Sequence, residues 1–513
     1  MPTQWQTFPV EFKGGLISNM SPLQQGLNAV GSAVLLQNFE PSKFGGYKKV
    51  LGYSKYIAGA VAGSGPILGV KVANSSKVIA VRKNGSNVSE YYINSGAVWS
   101  SLGAAASLGG KVRGVSFNFN GVHKLAFVDG VNKPAIFEDA TDTLSFLTVP
   151  ADVEGGDQIV VYKNHVFIAK GPLLSFSAPF DETDWTAAMG AGVINIGHEV
   201  NGLIVFRDQL IIFSRNKIQR LVGNSVADFQ LLPITTDIGC LYPDTIQEVG
   251  GDIMFMAPDG LRLLGATERI GDFGLEVASD PISKDTLRFI NSSTNFSSFV
   301  LREKAQYRIF TYLESAGSKD SEGLLATKFS NQGAASISWA TLKGFKVYCA
   351  DGRYTSGEEI TIFANEDGYV YRAETQPTFD GDSIPAIFQS PFMPITDPQK
   401  RKTLYKMALY TDTQGSFGVD VNILFDIYSI SNYNSNVKPA TIRLESTSSG
   451  VSIYGTVTTT YGSAIYGSEL DKVYDTPVVG SGKSFSLRIE DDSTRPSFTL
   501  DTAIFEYREQ DRQ

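Results

Sequence analysis

The chain has 513 residues, of which 42% are hydrophobic and only 19% are charged, with 50 glycines and a formal net charge of −9. This composition excludes a disordered chain and a charge-rich coiled coil, and it argues against a protein that binds nucleic acid through a basic surface. The presence of only two cysteines, Cys240 and Cys349, excludes a disulfide-rich scaffold.

Residues 1–57 contain scattered apolar residues and frequent glycines, which predicts an extended N-terminal arm. The first five residues lack the basic and apolar regions of a secretory signal. No apolar run approaches the roughly 18 residues that a membrane helix needs. We therefore expect neither an export signal nor a membrane segment.

Residues 58–390 consist of short apolar runs separated by tight turns. Asn-Gly and Asp-Gly pairs, which suit hairpin turns, begin at Asn84, Asn120, Asp129, Asn201, Asp259, Asp351, Asp367 and Asp380. Hairpin centres near residues 84, 120, 164, 208 and 251 recur every 36 to 44 residues. A repeat of small antiparallel sheets at this spacing predicts an all-β chain with a β-propeller of five to seven blades. Residues 273–297 interrupt the pattern and predict a loop, a short helix or a docking insertion.

Residues 391–513 predict a separate β-sandwich-like domain that packs against the N-terminal arm. Lys400-Arg401-Lys402 precedes its first strand and is interpreted as a solvated strand entrance or as a contact with phosphate or an acidic partner. Tyr454, Tyr461 and Tyr466 belong to a Tyr-Gly repeat in a Ser/Thr-rich stretch. This stretch predicts an extended loop that presents aromatic rings to a partner.

No known catalytic or metal-binding motif is evident in the sequence, so we expect no enzyme, no cofactor and no metal site. His123, His165 and His198 lack metal-ligand spacing, and a surface role is predicted for each. The acidic groups Asp181-Glu182 with Asp184, Glu358-Glu359 and Asp491-Asp492 are interpreted as solvated turn residues. Cys240 and Cys349 lie in apolar contexts that predict core thiols, with one bridge between them left open.

The opening of the chain resembles that of the tail nozzle proteins, or tail tubular protein B, of short-tailed bacteriophages. The elements that carry the resemblance are Gly14-Gly15-Leu16, Leu36-Gln37-Asn38-Phe39, Gly45-Gly46-Tyr47-Lys48-Lys49 and Gly52-Tyr53. Similar elements follow at Asp129-Gly130, Asn132-Lys133-Pro134, Tyr162–Phe167 and Asp184-Trp185, and in the late Tyr-Gly repeat.

The resemblance implies a structural virion protein that forms a ring, expected to be hexameric, at the distal end of a short tail. Such a ring is a gated channel that retains genomic DNA and then passes it during infection. The implied partners are further copies of the chain, a tail adaptor or tube protein, tail fibres or a tip protein, and genomic DNA that passes through the channel without sequence-specific binding. The implied location is the phage tail, assembled in the host cytoplasm.

Under this interpretation, residues 1–57 and 403–513 form a ring-building platform, and deletion of residues 1–57 is expected to leave a soluble monomer. The residues expected to contact other subunits or partners are Gly14, Gly15, Leu36, Asn38, Phe39, Tyr53, Lys400, Arg401, Lys402, Tyr454, Tyr461 and Tyr466. Two alternatives stay open. One is a propeller that binds or cleaves carbohydrate at the host surface, and the other is a different virion part such as an adaptor or fibre-attachment protein.

Overall fold

The fold is taken from a computed structural model that describes residues 5–265, 277–312, 321–331, 334–413, 415–426, 441–445 and 471–510. The N-terminal segment forms five short strands and one helix. These are β1 (Gln6–Glu11), α1 (Pro22–Asn28), β2 (Leu35–Gln37), β3 (Phe39–Pro41), β4 (Tyr47–Lys49) and β5 (Tyr53–Lys55). Helix α1 begins after Ser21, whose hydroxyl accepts a hydrogen bond from the Gln24 amide, and Pro22 occupies its first turn.

The next sixteen strands form four consecutive four-stranded antiparallel sheets, which we call blades 1 to 4. Blade 1 comprises β6 (Ser64–Val72), β7 (Val78–Lys83), β8 (Ser89–Ser95) and β9 (Val98–Ala104). Blade 2 comprises β10 (Arg113–Phe119), β11 (Val122–Val128), β12 (Ala135–Glu138) and β13 (Thr143–Phe146). Blade 3 comprises β14 (Gln158–Tyr162), β15 (His165–Lys170), β16 (Leu173–Phe176) and β17 (Gly192–Asn195). Blade 4 comprises β18 (Val200–Phe206), β19 (Gln209–Ser214), β20 (Ile218–Val222) and β21 (Gln230–Thr235).

Three further blades complete the propeller. Blade 5 comprises β22 (Gln247–Val249), β23 (Asp252–Ala257) and β24 (Gly260–Leu263). Blade 6 follows helix α2 (Ser283–Ser292) and comprises β25 (Phe296–Leu301), β26 (Gln306–Tyr312), β27 (Ser321–Asn331) and β28 (Ala334–Phe345). Blade 7 comprises β29 (Cys349–Thr355), β30 (Glu358–Ala364) and β31 (Val370–Ala373), with β5 of the N-terminal segment as its fourth strand.

The first strands of the blades surround a common axis. Strands β10, β14 and β18 pack side by side, as do β22, β25 and β29, and β29 contacts β6 to close the circle. Blades 1 and 2 are joined by the hydrogen bond from the Val112 amide to the Leu68 carbonyl, 2.9 Å long. Within the described residues the chain is thus a seven-bladed β-propeller with an attached sandwich, which confirms the all-β fold predicted from the sequence.

Positive φ angles at the hairpin tips explain why the turn spacing revealed the blades. The first hairpins of blades 2 to 5 turn at Asn120-Gly121, Lys163-Asn164, Arg207-Asp208 and Gly250-Gly251, all with positive φ at both positions. The Asn84 turn instead joins β7 and β8, the second hairpin of its blade. The first predicted interval, from residue 84 to residue 120, is therefore shorter because it runs from the second hairpin of blade 1 to the first hairpin of blade 2.

Two predicted turns lie inside strands. Asn201-Gly202 belongs to β18 and Asp351-Gly352 to β29, the innermost strands of blades 4 and 7. For Gly202 the reason is crowding at the axis, where a Cβ atom would lie 2.3 Å from Cδ1 of Ile246. Gly202 therefore allows close packing between blades 4 and 5 rather than a reversal of the chain. A Cβ atom on Gly352 would meet only ordinary contacts, 3.5 Å from Thr361 Oγ1, and Gly352 is held in β29 by its pairing with Thr361 of β30.

The C-terminal strands form a sandwich of two sheets, which we call the platform. They are β32 (Ala386–Gln389), β33 (Arg401–Thr413), β34 (Gly418–Phe425), β35 (Ile442–Glu445), β36 (Asp471–Gly482), β37 (Phe485–Asp491) and β38 (Phe498–Gln510). One sheet has the order β3-β4-β38-β33-β36, with β1 also paired to β38, and the other contains β2-β32-β37-β34-β35. The two sheets meet through aromatic contacts such as Phe485 with Phe505, whose ring centroids are 4.8 Å apart.

The strands cross the predicted segment boundaries. Strands β1 to β4 belong to the platform, whereas β5 belongs to blade 7, so residues 5–57 contribute strands to both parts of the chain. Strand β32 already lies in the platform before residue 391. Within residues 277–297 the chain forms α2 and then enters blade 6, whereas residues 273–276 lie outside the described part.

Candidate functional site: the axial cavity and the platform surface

A cavity of about 260 Å³ lies on the propeller axis and is lined by residues from all seven blades. Two groups of ion pairs occupy its walls. Lys71 Nζ lies 2.7 Å from Asp351 Oδ1. Arg113 donates two hydrogen bonds of 2.9 Å to the two carboxylate oxygens of Asp244, and Lys111 Nζ lies 3.2 Å from Asp244 Oδ2.

The cations around Asp244 lower the pKa of its carboxyl group. Burial alone would raise the pKa of Asp244, but the charges of Lys111 and Arg113 and their hydrogen bonds hold it well below its usual range. Burial would likewise lower the pKa of Arg113, but Asp244 raises it instead. Both axial carboxylates are therefore engaged by cations, an arrangement that suits structural closure of the axis better than proton donation to a substrate.

Asp157, close to the same wall, has the opposite shift. Burial raises its pKa, against the opposing charge of Arg113. The guanidinium of Arg113 also donates to the Asp157 backbone carbonyl at 3.2 Å. Asp157 is thus held in place by the same residue that neutralises Asp244.

Several acids predicted to be solvated are instead covered and paired. Glu182 lies 2.6 Å from Lys124 Nζ, and Asp491 lies 2.7 Å from Lys49 Nζ. Glu359 is covered and lies 3.5 Å from Arg302. The sequence could not reveal these partners because each lies far away along the chain.

His165 also departs from its predicted surface role. It is buried in blade 3, where its Nδ1 lies 2.6 Å from the Ser177 carbonyl oxygen and is hydrogen-bonded to it. Cys240 and Cys349 are free and buried in separate blades, and burial raises their pKa values to about 11 and about 12. Among the described residues, no group of three or more His, Cys, Asp or Glu side chains is placed to hold a metal ion.

Most of the predicted contact residues in the N-terminal segment belong to the chain's own core. Leu36, Phe39 and Tyr53 are buried. Asn38 is buried with a φ of 54°, and its side-chain amide donates to the carbonyls of Lys343 and Pro385. These four residues hold the segment to blades 6 and 7 and to the platform, so the structure gives them contacts within the chain rather than with a second subunit.

The two predicted glycines have different environments. Gly15 has a φ of +70°, and a Cβ atom there would lie 2.8 Å from the Trp339 amide nitrogen, so the backbone passes directly against blade 6. Gly14 also has a positive φ but is exposed. Of the pair, Gly14 alone lies at a surface.

The basic triplet divides in the same way. Lys400 is half-buried and pairs with Glu509, and Arg401 is exposed and pairs with Asp426. Lys402 is buried, and its ammonium group donates to the backbone carbonyls of Asp397 and Lys483. Burial lowers the pKa of Lys402. Lys402 is thus a core residue, which corrects its predicted partner contact. Tyr454, Tyr461 and Tyr466 lie outside the described residues.

Sequence analysis missed an ion cluster that joins the N-terminal segment to the propeller. Glu40 on β3 accepts from Arg308 of β26 at 3.0 Å and pairs with Lys304 at 2.7 Å. Arg308 also lies 2.9 Å from Glu374, which follows β31. Burial would raise the pKa of Glu374, but Arg308 and Lys304 outweigh it and lower that pKa.

A second feature without a sequence signal is a set of exposed apolar side chains on the platform. Phe44, at the tip of the β3–β4 hairpin, is fully exposed, and Val479 on β36 is 91% exposed. Trp5 and Tyr405 are also exposed and pack edge to face, with ring centroids 3.9 Å apart. A lone phenylalanine between Lys43 and Gly45 gave no sequence signal of exposure, because the pattern does not reveal which side of a hairpin faces the core.

No family model matches the chain, and no curated protein matches it. Among solved structures, it is similar to the extracellular domain of a candidate one-component system from B. thetaiotaomicron, with 10% identity and a TM-score of 0.39, covering 72% of this chain and 44% of that one. The extracellular domain of a candidate hybrid two-component system from the same organism matches with 10% identity and a TM-score of 0.38, covering 61% and 40%. The chain thus spans less than half the length of either structure.

An exo-β-1,3-galactanase from Phanerochaete chrysosporium matches with 10% identity and a TM-score of 0.27, covering 89% of this chain and 100% of that one. With TM-scores below 0.5, none of these likenesses supports a conclusion about ligand, activity or partner. Among the described residues, no helix is long and apolar enough to cross a membrane.

Proposed function

We propose that this chain is a non-enzymatic structural subunit of a short phage tail, whose copies form a ring-shaped, gated nozzle that retains and then passes genomic DNA. Copies of the chain would associate through the platform, with an adaptor or tube protein above them and fibres or a tip protein beside them. The observation that carries the proposal is the exposure of Phe44 and Val479, the two most exposed large apolar side chains among the described residues, both on the platform. Covering fully exposed apolar side chains with a second subunit removes them from water, which favours association.

The hairpin that carries Phe44 is held in a fixed conformation. The Ser42 amide donates to the Gly46 carbonyl at 3.1 Å, and the Phe44 amide donates to the Ser42 hydroxyl at 3.2 Å. Lys43 Nζ donates to the Glu303 carbonyl at 2.8 Å, which ties the tip to blade 6. A preorganised aromatic anchor loses little conformational entropy on binding, so it suits a permanent interface.

The axial cavity supports a channel between copies rather than through one copy. A volume of about 260 Å³ is far too small for a DNA duplex, and ion pairs across Asp244 and Asp351 hold its walls together. Under the proposal, DNA therefore passes through the centre of the ring. The net charge of −9 suits such a conduit, because an acidic wall repels phosphate rather than retaining it.

Assembly of the purified full-length protein tests the proposal. Negative-stain images and light scattering are expected to show rings for the natural chain. The double variant Phe44→Ser with Val479→Ser is expected to weaken association by at least about tenfold, because interface anchors dominate binding. The matched control, Phe180→Ser with Val98→Ser, changes the same residue types at exposed propeller positions and is expected to keep the rings. A natural chain that stays monomeric, or a double variant that assembles as well as the control, would contradict the proposal.

A further inference from the structure

A groove of about 780 Å³ lies at one mouth of the propeller axis, and we call it the mouth groove. It is assembled from four blades and the end of helix α2. Its lining residues are Pro66, Tyr242, residues 290–295, Tyr312, Tyr348 and Glu366. The groove exists only when the propeller is closed, since blade 1 contributes Pro66, the β30–β31 turn of blade 7 contributes Glu366, and Tyr348 immediately precedes β29. Its volume lies in the range of small-molecule sites.

The three tyrosines of the mouth groove are held in fixed orientations. Tyr312 and Tyr348 pack edge to face, with ring centroids 5.5 Å apart. Tyr242 packs against Phe296 at 4.5 Å. The Lys111 ammonium group lies 5.6 Å from the Tyr348 ring centroid and donates to the Phe296 carbonyl at 2.6 Å. These contacts connect the groove to the axial ion pairs and hold its aromatic surfaces in place before a ligand arrives.

Short polar side chains line the groove at the end of α2 and in the residues that follow it. Asn291, Ser292 and Thr294 are exposed, and Asn295 is half-buried. Amide and hydroxyl groups both donate and accept hydrogen bonds, as sugar hydroxyls require. Among the described lining residues, Glu366 is the one charged group, and no lysine or arginine is present. The Glu366 carboxylate disfavours a phosphate, a sulfate or an anionic sugar beside it.

We propose that the mouth groove binds a neutral oligosaccharide, with a pyranose ring stacked against tyrosine and its hydroxyls bonded to the amides and hydroxyls of residues 291–295. Aromatic rings with a polar edge suit a ligand that has apolar C–H faces and hydroxyl rims. The groove lies on the propeller, whereas the proposed assembly surface lies on the platform. Sugar binding is therefore independent of ring formation.

Saturation-transfer NMR on the full-length protein tests this inference, with maltohexaose, cellohexaose and laminarihexaose as the probes. At least one neutral hexasaccharide is expected to bind. Tyr348→Ala is expected to weaken that binding at least tenfold, whereas Tyr348→Phe keeps the ring and retains most of it. Tyr354→Ala changes an exposed tyrosine at the far end of β29 and is expected to leave binding unchanged.

Asn291→Ala serves as a second variant, because its exposed position makes it compatible with folding even if Tyr348→Ala is not. It is expected to weaken binding severalfold. The inference is overturned if none of the three sugars binds, if Asn291→Ala binds as tightly as the natural chain, if a folded Tyr348→Ala binds as tightly as the natural chain, or if a sulfated hexasaccharide binds more tightly than the neutral ones. Ring assembly by Tyr348→Ala, measured in parallel, separates a failure of this inference from a failure of the nozzle proposal.

Discussion

Lys49 and Asp491 form an ion pair across 442 residues of sequence, with an Nζ–Oδ2 distance of 2.7 Å and both side chains fully buried. Lys49 Nζ also donates to the Ser493 carbonyl at 2.9 Å, and Asp491 accepts from the Ser493 amide. The two charged groups are therefore bonded to each other, and both are also bonded to the backbone of Ser493 in the turn after β37. A pair of this kind fixes the position of β4 against the end of β37.

Lys49→Met is expected to destabilise the protein by about 3–5 kcal/mol, because it leaves the Asp491 carboxylate buried without its cation. The urea dependence of unfolding measures this loss. Lys13→Met removes a cation from an exposed pair with Glu11 and is expected to leave the unfolding midpoint unchanged. The double variant Lys49→Met with Asp491→Leu is expected to recover most of the loss. A Lys49→Met midpoint equal to that of Lys13→Met would contradict the structural role given to this pair.

At the scale of the strand, β5 shows how the propeller is closed. Tyr53 to Lys55 pair antiparallel with Ala373 to Tyr371, so a strand from the start of the chain completes the last blade. The Tyr53 ring is buried between Phe345, Phe363, Tyr371 and Phe379, and its hydroxyl donates to the Gly344 carbonyl at 3.0 Å. Closure of this type removes a free strand edge from the circle of blades.

Tyr53→Ala is expected to destabilise the propeller by about 3–5 kcal/mol, as for other large buried aromatic residues replaced by alanine. Circular dichroism during thermal unfolding would show the change as a lower midpoint. Tyr354→Ala, at an exposed position of the same blade, is expected to have no effect. The same closure changes the expectation for deletion of residues 1–57. Loss of β5 exposes the aromatic core of blade 7, so we expect a poorly folded product rather than a soluble monomer.

The contrast between hairpins and closing strands explains what the sequence could predict. Hairpins are local, and pairs such as Lys163-Asn164 reveal their turn chemistry directly. Strand β5 pairs with β31, and β2 pairs with β32, each more than 300 residues away, and no local pattern encodes such a partner. The same reason hid the partners of Glu40 and Lys49. The Asp351-Gly352 pair shows the limit of dipeptide rules, because its antiparallel pairing with Thr361 and Ile362 of β30 overrides its turn preference.

For the whole molecule, the important feature is the continuity between propeller and platform. Strand β28 of blade 6 makes a parallel bridge to β2 at Gln37 and Thr341, and β2 pairs with β32 of the platform. The Glu40–Arg308 ion pair reinforces the same junction from the other platform sheet. We expect the two parts to behave as a single unit, which would allow a propeller to be carried rigidly by a platform-built ring.

Acid is expected to loosen this unit, because the buried carboxylates that hold it together are stabilised in their charged form. The pKa values of Asp244 and Glu374 are lowered in the folded chain, whereas in the unfolded chain they return to about 4. Their stabilising contribution is therefore complete above about pH 5 and is lost as the pH falls toward the folded values. Each such carboxyl removes up to about 1.4 kcal/mol per pH unit in that window. The pKa of Asp157 is raised by burial, so its contribution to the free energy of unfolding instead increases as the pH falls.

The urea midpoint of the natural chain is thus expected to fall between pH 5 and pH 3. Asp244→Asn should lower the midpoint at pH 7, because Lys111 and Arg113 lose their counter-charge, and should reduce the slope below pH 5, because one titrating carboxyl is gone. Asp142→Asn, which removes an exposed carboxylate paired with Lys77, is expected to keep the natural slope. If Asp244→Asn loses stability between pH 5 and pH 3 as steeply as the natural chain, the axial ion pairs do not determine its acid sensitivity, and the cluster at Glu40 and Glu374 becomes the next site to replace.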